Sequence, residues 1–414
     1  MVTRRNILRG LAGLAAGAVM AGKLRSDTPD APAAHPAAPA PASRPAAAAP
    51  AAQAETRPAA VATASDWPAF RGDQALTGAA PGELADRFRL KWKFKTKGEV
   101  RSSPVIAGGR VFAGSGDSSV YCLDFADGKK LWAFQTNGAV DAPALVLDGR
   151  VYVGSSDSFV YALDAATGKE IWKHETGEKI MSSPNWTGRG DKLRVIVGCH
   201  DGKVYCIDAG TGKRAWVYPT DNIVNGTPAI RDGQVAFAGC DGFLHLADPA
   251  NGAKIKDVEV GAFIMASMAL ADGRAYMGNY EGKLLCVDLK SGKVLWQYSQ
   301  PTEDRPFGAS PALAGGRVII GGQDSRVHCV QAATGKGVWT FAARDAVDSN
   351  PLVCGDKVVV GSDDGRLYVL AVATGRLLWS YNTGEPIRGG PGIAAGTILV
   401  GSDSYHVYAF EGAR

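Results

Sequence analysis

An eleven-residue phrase, ALDAATGKEIW at residues 162–172, recurs in degraded form along the chain, and its spacing of about forty residues marks a repeat architecture rather than a domain built on one core. The same frame reads at residues 206–216, 286–296, 329–339 and 369–379, with a looser copy at 122–132. A seventh copy, 246–256, carries Lys256 where the others carry tryptophan. Ahead of each phrase stands a second constant element, typified by VYVGSSDSFVY at 151–161, in which two short alternating runs flank a Ser/Asp/Gly turn and so predict a hairpin. Within the phrase, Asp164 is placed to accept hydrogen bonds from the amides just ahead of it, and Gly168 supplies the positive φ of a tight turn.

With a further run that follows a proline, such as Pro104-Val105-Ile106, each unit has four short strands. One such sheet cannot bury both faces alone, but sheets arranged radially bury each other, which predicts an all-β propeller of four-stranded antiparallel blades. The phrase-final residues Trp132, Trp172, Trp216, Trp296, Trp339 and Trp379, with Trp92 upstream, are expected on the outer strands, where a flat side chain covers the neighbouring sheet. Gly114, Gly154, Gly198, Gly278, Gly321, Gly361 and Gly401 end the second strands, with Ala238 in the remaining place, so the ring has eight blades. The eighth unit stops before its outer strand, and residues 90–94, LKWKF, match the missing piece. An N-terminal strand is therefore expected to close the last blade and remove an unpaired edge.

The pattern A-x-D-x-x-T-G-K-x-x-W resembles the tryptophan-docking repeat of the eight-bladed quinoprotein (PQQ-like) propeller family and covers nearly everything after residue 66. That family includes both PQQ-dependent dehydrogenases and non-enzymatic outer-membrane assembly factors of the BamB type, so the resemblance implies the fold and leaves two functions open. Quinoprotein dehydrogenases imply an adjacent cysteine pair, a calcium site and a catalytic aspartate among long insertions. This chain has no Cys-Cys step and near-minimal blades, which favours a scaffold with no cofactor over PQQ with calcium or a PQQ-like small-ligand sensor. Asp66-Trp67-Pro68-Ala69-Phe70-Arg71-Gly72 resembles a segment that opens many such propellers, and is expected to act as a cap on the ring or as a docking peptide.

Residues 1–26 combine Arg4-Arg5 with a mild, glycine-rich apolar stretch, the composition of a twin-arginine export signal. Residues 27–65, nearly all Ala, Pro, Thr and Ser, form an expected disordered tether. The expected location is the periplasm or cell envelope, with membrane contact only through an uncleaved signal. The first cysteine is Cys122, so no lipid anchor is expected upstream, unlike the lipoprotein members of the family. The first 65 residues hold seven Lys/Arg and three acids, which accounts for the net charge of +4 and leaves the propeller (66–414) neutral. A neutral domain is not the footprint of a nucleic-acid partner.

The 7 cysteines are expected to be mostly buried and unpaired. Cys122, Cys206, Cys286 and Cys329 share one third-strand position on different blades; a bridge between Cys199 and Cys240 is conceivable, and Cys354 has no evident partner. The 6 histidines do not converge, and His245 and His328 take slots that hold Tyr161 and Tyr205 elsewhere. Asp117, Asp157, Asp201, Asp241, Glu281, Asp324 and Asp364 recur at one turn position, as hairpin turns require. No zinc spacing, phosphate loop or nucleophile elbow is present.

The candidate site is the channel rim. Each inner strand is entered through a segment of apolar, variable, small, polar and Pro residues, first seen as Val100-Arg101-Ser102-Ser103-Pro104. The variable position takes Arg101, Asp141, Met181, Asn225, Met265, Gly308, Asp348 and Arg388 around the ring. In a propeller this connection shares a face with the second hairpin, so these residues are expected to rim the channel. Asp348, Arg388, Arg101 and Asp141 form one polar arc facing Met181 and Met265. The arc reads either as two solvated salt bridges or as a site that orients a ligand or a partner's peptide while methionine supplies adaptable apolar contact. Together these readings predict an exported, monomeric, non-enzymatic propeller that binds a protein or cell-envelope partner.

Overall fold

The computed structural model describes residues 66–300 and 305–413, so the expected signal and tether lie outside the described residues. Its strands form eight antiparallel four-stranded sheets, blades 1 to 8 in chain order, one of which gains a short fifth strand. Blade 2 shows the plan, with Leu145–Leu147, Arg150–Gly154, Phe159–Asp164 and Glu170–Glu175 in spatial order. The first strands of successive blades touch one another around the axis. The middle two strands of blade 2 are buried almost throughout, as sheets covered on both faces must be. Among the described residues the single helical turn is the 3₁₀ segment Gly190–Lys192.

The outer strand does not pair evenly. In all eight blades the register against the third strand slips beside the tryptophan position; in blade 2 Glu170 faces Leu163 and Trp172 faces Ala162, which leaves Ile171 as a bulge. A bulge re-aims the following side chain. Here it turns six indoles onto the next blade, where each N–H donates to a turn carbonyl at 2.8–3.2 Å. Each of these rings lies over the glycine of the next turn, from Trp92 on Gly128 to Trp339 on Gly375, so closely that a Cβ there would sit 2.5–2.8 Å from ring carbons. Gly168, with φ +71°, thus has two reasons to be glycine: the turn and the face of Trp132.

Two interfaces depart from this plan. Lys256 replaces the indole N–H with its ammonium, which donates to Lys290 O at 2.5 Å. Trp379 meets no phrase glycine and packs on Phe88 and Phe410, each with ring centroids 5.4 Å away. Phe88 belongs to Phe88–Lys95, which pairs antiparallel with His406–Gly412 and is the fourth strand of blade 8, with Trp92 opposite Ala409.

The segment 66–80 does more than cap one blade. Trp67 exchanges both backbone hydrogen bonds with Ile106; the next carbonyls then accept amides from Val146, Ile230, Leu270, Leu313 and Val353. Gln74 ties in blade 3, its Nε2 donating to Trp186 O and its backbone carbonyl accepting Asn185 Nδ2. Ala79–Ala80 finally runs parallel to Leu352–Cys354. One short, turn-rich stretch therefore engages seven of the eight inner strands. At its centre Arg71 is buried and donates to the carbonyls of Pro311 and Pro351. Burial pushes its pKa down to about 9, so it stays charged at neutral pH.

The recurring aspartates, His245 and His328 hold the hairpins. Asp117, Asp157, Asp201 and Asp364 each accept the hydroxyl of the tyrosine four residues on, at 2.5–2.7 Å. His245 and His328 make the same contact with Asp241 and Asp324. All seven cysteines are free and buried, Cys199 against Glu178 O and Cys240 against Met265 Sδ.

Two predictions follow from this packing. Gly108 has φ +57° but open space around it, so Gly108→Ala should cost only left-handed strain, about 1–2 kcal/mol. Gly168→Ala should cost roughly 1–3 kcal/mol more, from overpacking against Trp132. That excess should vanish in a Trp132→Ala background when the cycle is measured by denaturant unfolding; equal costs for the two glycines would contradict the docking account. Second, deleting residues 84–96 removes Phe88 and Trp92 from blade 8 and should lower the melting temperature by roughly 10 °C or more. Deleting 27–60 should leave it unchanged, and equal melting of the two deletions would show that the strand is not needed for closure.

Candidate functional site: the channel mouth

The mouth is positioned by the glycines that end the second strands. A Cβ on Gly114, Gly154, Gly198, Gly278, Gly321, Gly361 or Gly401 would strike Val140, Ile180, Val224, Phe307, Val347, Ile387 or Val100 of the next blade's entry segment. Each of those apolar residues is 0–3% exposed. A fixed apolar anchor leaves the next residue, the variable one, on the channel side. Accordingly, Arg101, Asp141, Met181, Asn225, Met265, Gly308, Asp348 and Arg388 all line one cavity of about 170 Å³. Phe70, from the axial segment, is also in its wall.

Deeper in the cavity a hydrogen-bond ring stitches blade to blade. The amides of Ser183, Thr227 and Ser267 donate to the hydroxyls of Thr227, Ser267 and Ser310, Ser310 N to Asn350 Oδ1, and Gly390 N to Ser103 Oγ, at 2.7–3.1 Å. The small polar residues of the entry segment therefore serve the scaffold and also face the cavity.

The polar arc does not pair within itself. Arg388 reaches Asp363 at 3.2 Å and Asp403 at 2.9 Å, while Arg101 reaches Asp403 at 3.2 Å. Asp403 thereby bridges both arginines, and its hydrogen bond holds the Arg101 pKa above the ordinary value. Asp141 receives no hydrogen bond or ion pair among the described residues, and burial pushes its carboxyl pKa up against the pull of Arg101. Asp348 receives only Gln323 Nε2, at 3.2 Å, and burial raises its pKa too. Its carboxylate leans over Gly308, where a Cβ would lie 2.9 Å from Oδ1.

Asp363 and Asp403 reveal a second tier that the sequence reading missed. The residue just before the recurring turn position meets the first tier in six blades, since Asp363 and Asp403 are joined by Ser156 with Met181, His200 with Asn225, Cys240 with Met265 and Gln323 with Asp348. Its signal was present in the sequence. This position varies as freely around the ring as the first tier does, beside a turn acid that barely changes. On blades 4 and 5 the mouth also carries the exposed Phe263 and Tyr280, joined by a backbone hydrogen bond of 3.0 Å from Tyr280 N to Phe263 O. A second, wider cleft of about 510 Å³ is lined by Glu99, Glu385, Pro386, Asp403, Ser404 and Tyr405.

A family model described as outer membrane protein assembly factor BamB matches residues 62–180, 156–306 and 298–413. Similar solved structures include BamB from Moraxella catarrhalis, with 19% identity, 78% of this chain and 98% of that chain covered, and a TM-score of 0.65. The quinohemoprotein alcohol dehydrogenase from Comamonas testosteroni has 18% identity, coverage of 86% and 82%, and a TM-score of 0.69. The computationally designed Ika8 protein has 17% identity, coverage of 78% and 99%, and a TM-score of 0.69. Identities this low show the fold alone. None of the curated proteins matches the chain.

Proposed function

The chain belongs to the family of outer membrane protein assembly factor BamB, and on that premise we propose that it is an exported, non-enzymatic scaffold that binds a protein of the cell envelope through the channel mouth. Export by the twin-arginine route and a periplasmic location are part of the proposal. The observation that carries it is the mouth itself. Eight side chains of unlike chemistry are brought to one cavity by a frame that repeats, which is how a rigid scaffold presents a recognition surface. Help in assembling outer-membrane proteins is the most concrete form of this function.

The quinoprotein alternative has the dehydrogenase-like fold in its favour. Three features of the mouth weigh against a planar tricarboxylate cofactor with its cation. A cavity of about 170 Å³ is below the roughly 300–1,000 Å³ usual for small-molecule sites. Both arginines that would meet carboxylates are already held by Asp363 and Asp403. Among the described residues no group of three or more His, Cys, Asp or Glu side chains is placed to hold a metal. The residues present do not fit that cofactor, and no reaction is assigned to them.

The test is capture from crosslinked cell envelopes. Arg101→Ala with Arg388→Ala removes the bridge across blades 7, 8 and 1, whose arginines are half-exposed while Asp363 and Asp403 are mostly buried. Leaving those acids without partners should lower the melting temperature by a few degrees, with the protein still folded and the envelope partner lost. Full capture by this double variant would move the site away from the mouth.

A further inference from the structure

The mouth is divided by chemistry. Asp363, Arg388, Asp403 and Arg101 form a chain of two acids and two bases, neutral as a unit, with the donors of both arginines directed at those acids. What remains without an ion pair in the cavity wall is Asp141 and Asp348; Arg101 and Lys179 act on the first and Arg388 on the second only through space. The adjoining cleft adds Glu99 and Glu385 beside Asp403, so the sector spanning blades 7, 8, 1 and 2 carries surplus negative charge. Across the ring Met181 and Met265 flank Asn225, and Phe70 adds an apolar face to the cavity. Above them Phe263 and Tyr280 are 54% and 45% exposed.

The deep ring also has unspent capacity. Ser103, Thr227, Ser267 and Ser310 are each 3–5% exposed and line the cavity. Each hydroxyl accepts one backbone amide, and a hydroxyl oxygen has two acceptor sites, so each retains one. A group entering here meets two carboxylates without an ion pair of their own and four hydroxyls that can accept or donate. The carboxylates select a polar end that donates hydrogen bonds and carries positive charge, and the stem behind that end shares the cavity with Met181 and Met265.

We infer that the mouth receives an arginine or lysine side chain from an extended segment of a partner polypeptide, with a neighbouring apolar side chain of that segment resting on Phe263 and Tyr280. The inference rests on the mouth being the binding face and adds the chemistry of what it binds. Charge complementarity selects the occupant. An acidic segment would bring a third carboxylate beside Asp141 and Asp348, and a purely apolar one would strand both of them unpaired. The size agrees, since about 170 Å³ admits one side chain and not a folded element. In an extended segment, residues two apart share a face, so an aromatic residue two positions from the basic one addresses both halves of the mouth.

The experiment titrates the full-length protein calorimetrically with acetyl-Phe-Ser-Arg-amide and with the same peptide carrying citrulline, which keeps the shape and removes the charge. The arginine peptide should bind at least tenfold more tightly. Asp141→Asn with Asp348→Asn should erase that preference without lowering the melting temperature, and Phe263→Ser should weaken both peptides alike. Equal affinities for the two peptides, no binding of either at millimolar concentration, or an undiminished preference in the double Asn variant would each overturn the inference. These failures are separable from failure of the binding face. If the Arg101/Arg388 variant loses the envelope partner while the two peptides bind alike, the face stands and the chemistry falls; if it keeps the partner, the face itself is wrong.

Discussion

The structure depends on one repeated contact: an indole laid flat on the glycine of the next blade's turn, with its N–H on a carbonyl of that turn. A glycine is needed there twice over, since both the backbone and the ring exclude a Cβ. The contact ties a bulge in one blade to a turn in the next, so each blade is held by its neighbour rather than by a core of its own. Stability in such a ring is a sum over interfaces, which tolerates a few departures. At the interface between blades 4 and 5 an ammonium group takes the place of the indole N–H; at that between blades 3 and 4 His245, in ring contact with Tyr218, sits between Asp241 and Asp257, 2.8 Å from each. At the interface between blades 7 and 8 aromatic edges replace the glycine.

Because the frame is held at the outer strands and at the buried glycine–anchor contacts, the residues between anchor and proline carry no packing duty at their variable position. That separation makes room for recognition. Arg101, Asp141, Met181, Asn225, Met265 and their fellows differ in charge, size and softness, yet the same anchor geometry brings each to the cavity. The axial segment adds Phe70 to that cavity and ties Arg71 to the scaffold through two proline carbonyls.

Much of this was legible in the sequence because it is local and repeated. The hairpins, the Asp164 turn, the eight second-strand glycine positions and the eight mouth residues all follow from counting within one frame. What was not legible depends on contacts far apart in the chain and made once. The path of residues 66–80 past seven inner strands cannot be read from periodicity, because Arg71 and Pro351 lie 280 residues apart. The expectation that Arg101 and Arg388 would pair with Asp141 and Asp348 misjudged height rather than order. Neighbours around the ring share a tier, but the hairpin acids Asp363 and Asp403 reach down to the arginines from the tier above. The recurring acids were read as turn builders, and their tyrosine and histidine partners four residues on show why the slot admits His245 and His328.

The central claim is that recognition happens at the mouth and not on the blade rims, where Leu131 and Ile171 are exposed at 47% and 42%. The most direct measurement places a photocrosslinking amino acid at Asn225 or Met265 in one set of proteins and at Leu131 or Ile171 in another. The adducts formed in living cells are then identified by mass spectrometry. The account predicts one envelope protein crosslinked from both mouth positions and from neither rim position; the same adduct appearing from the rim alone would contradict it.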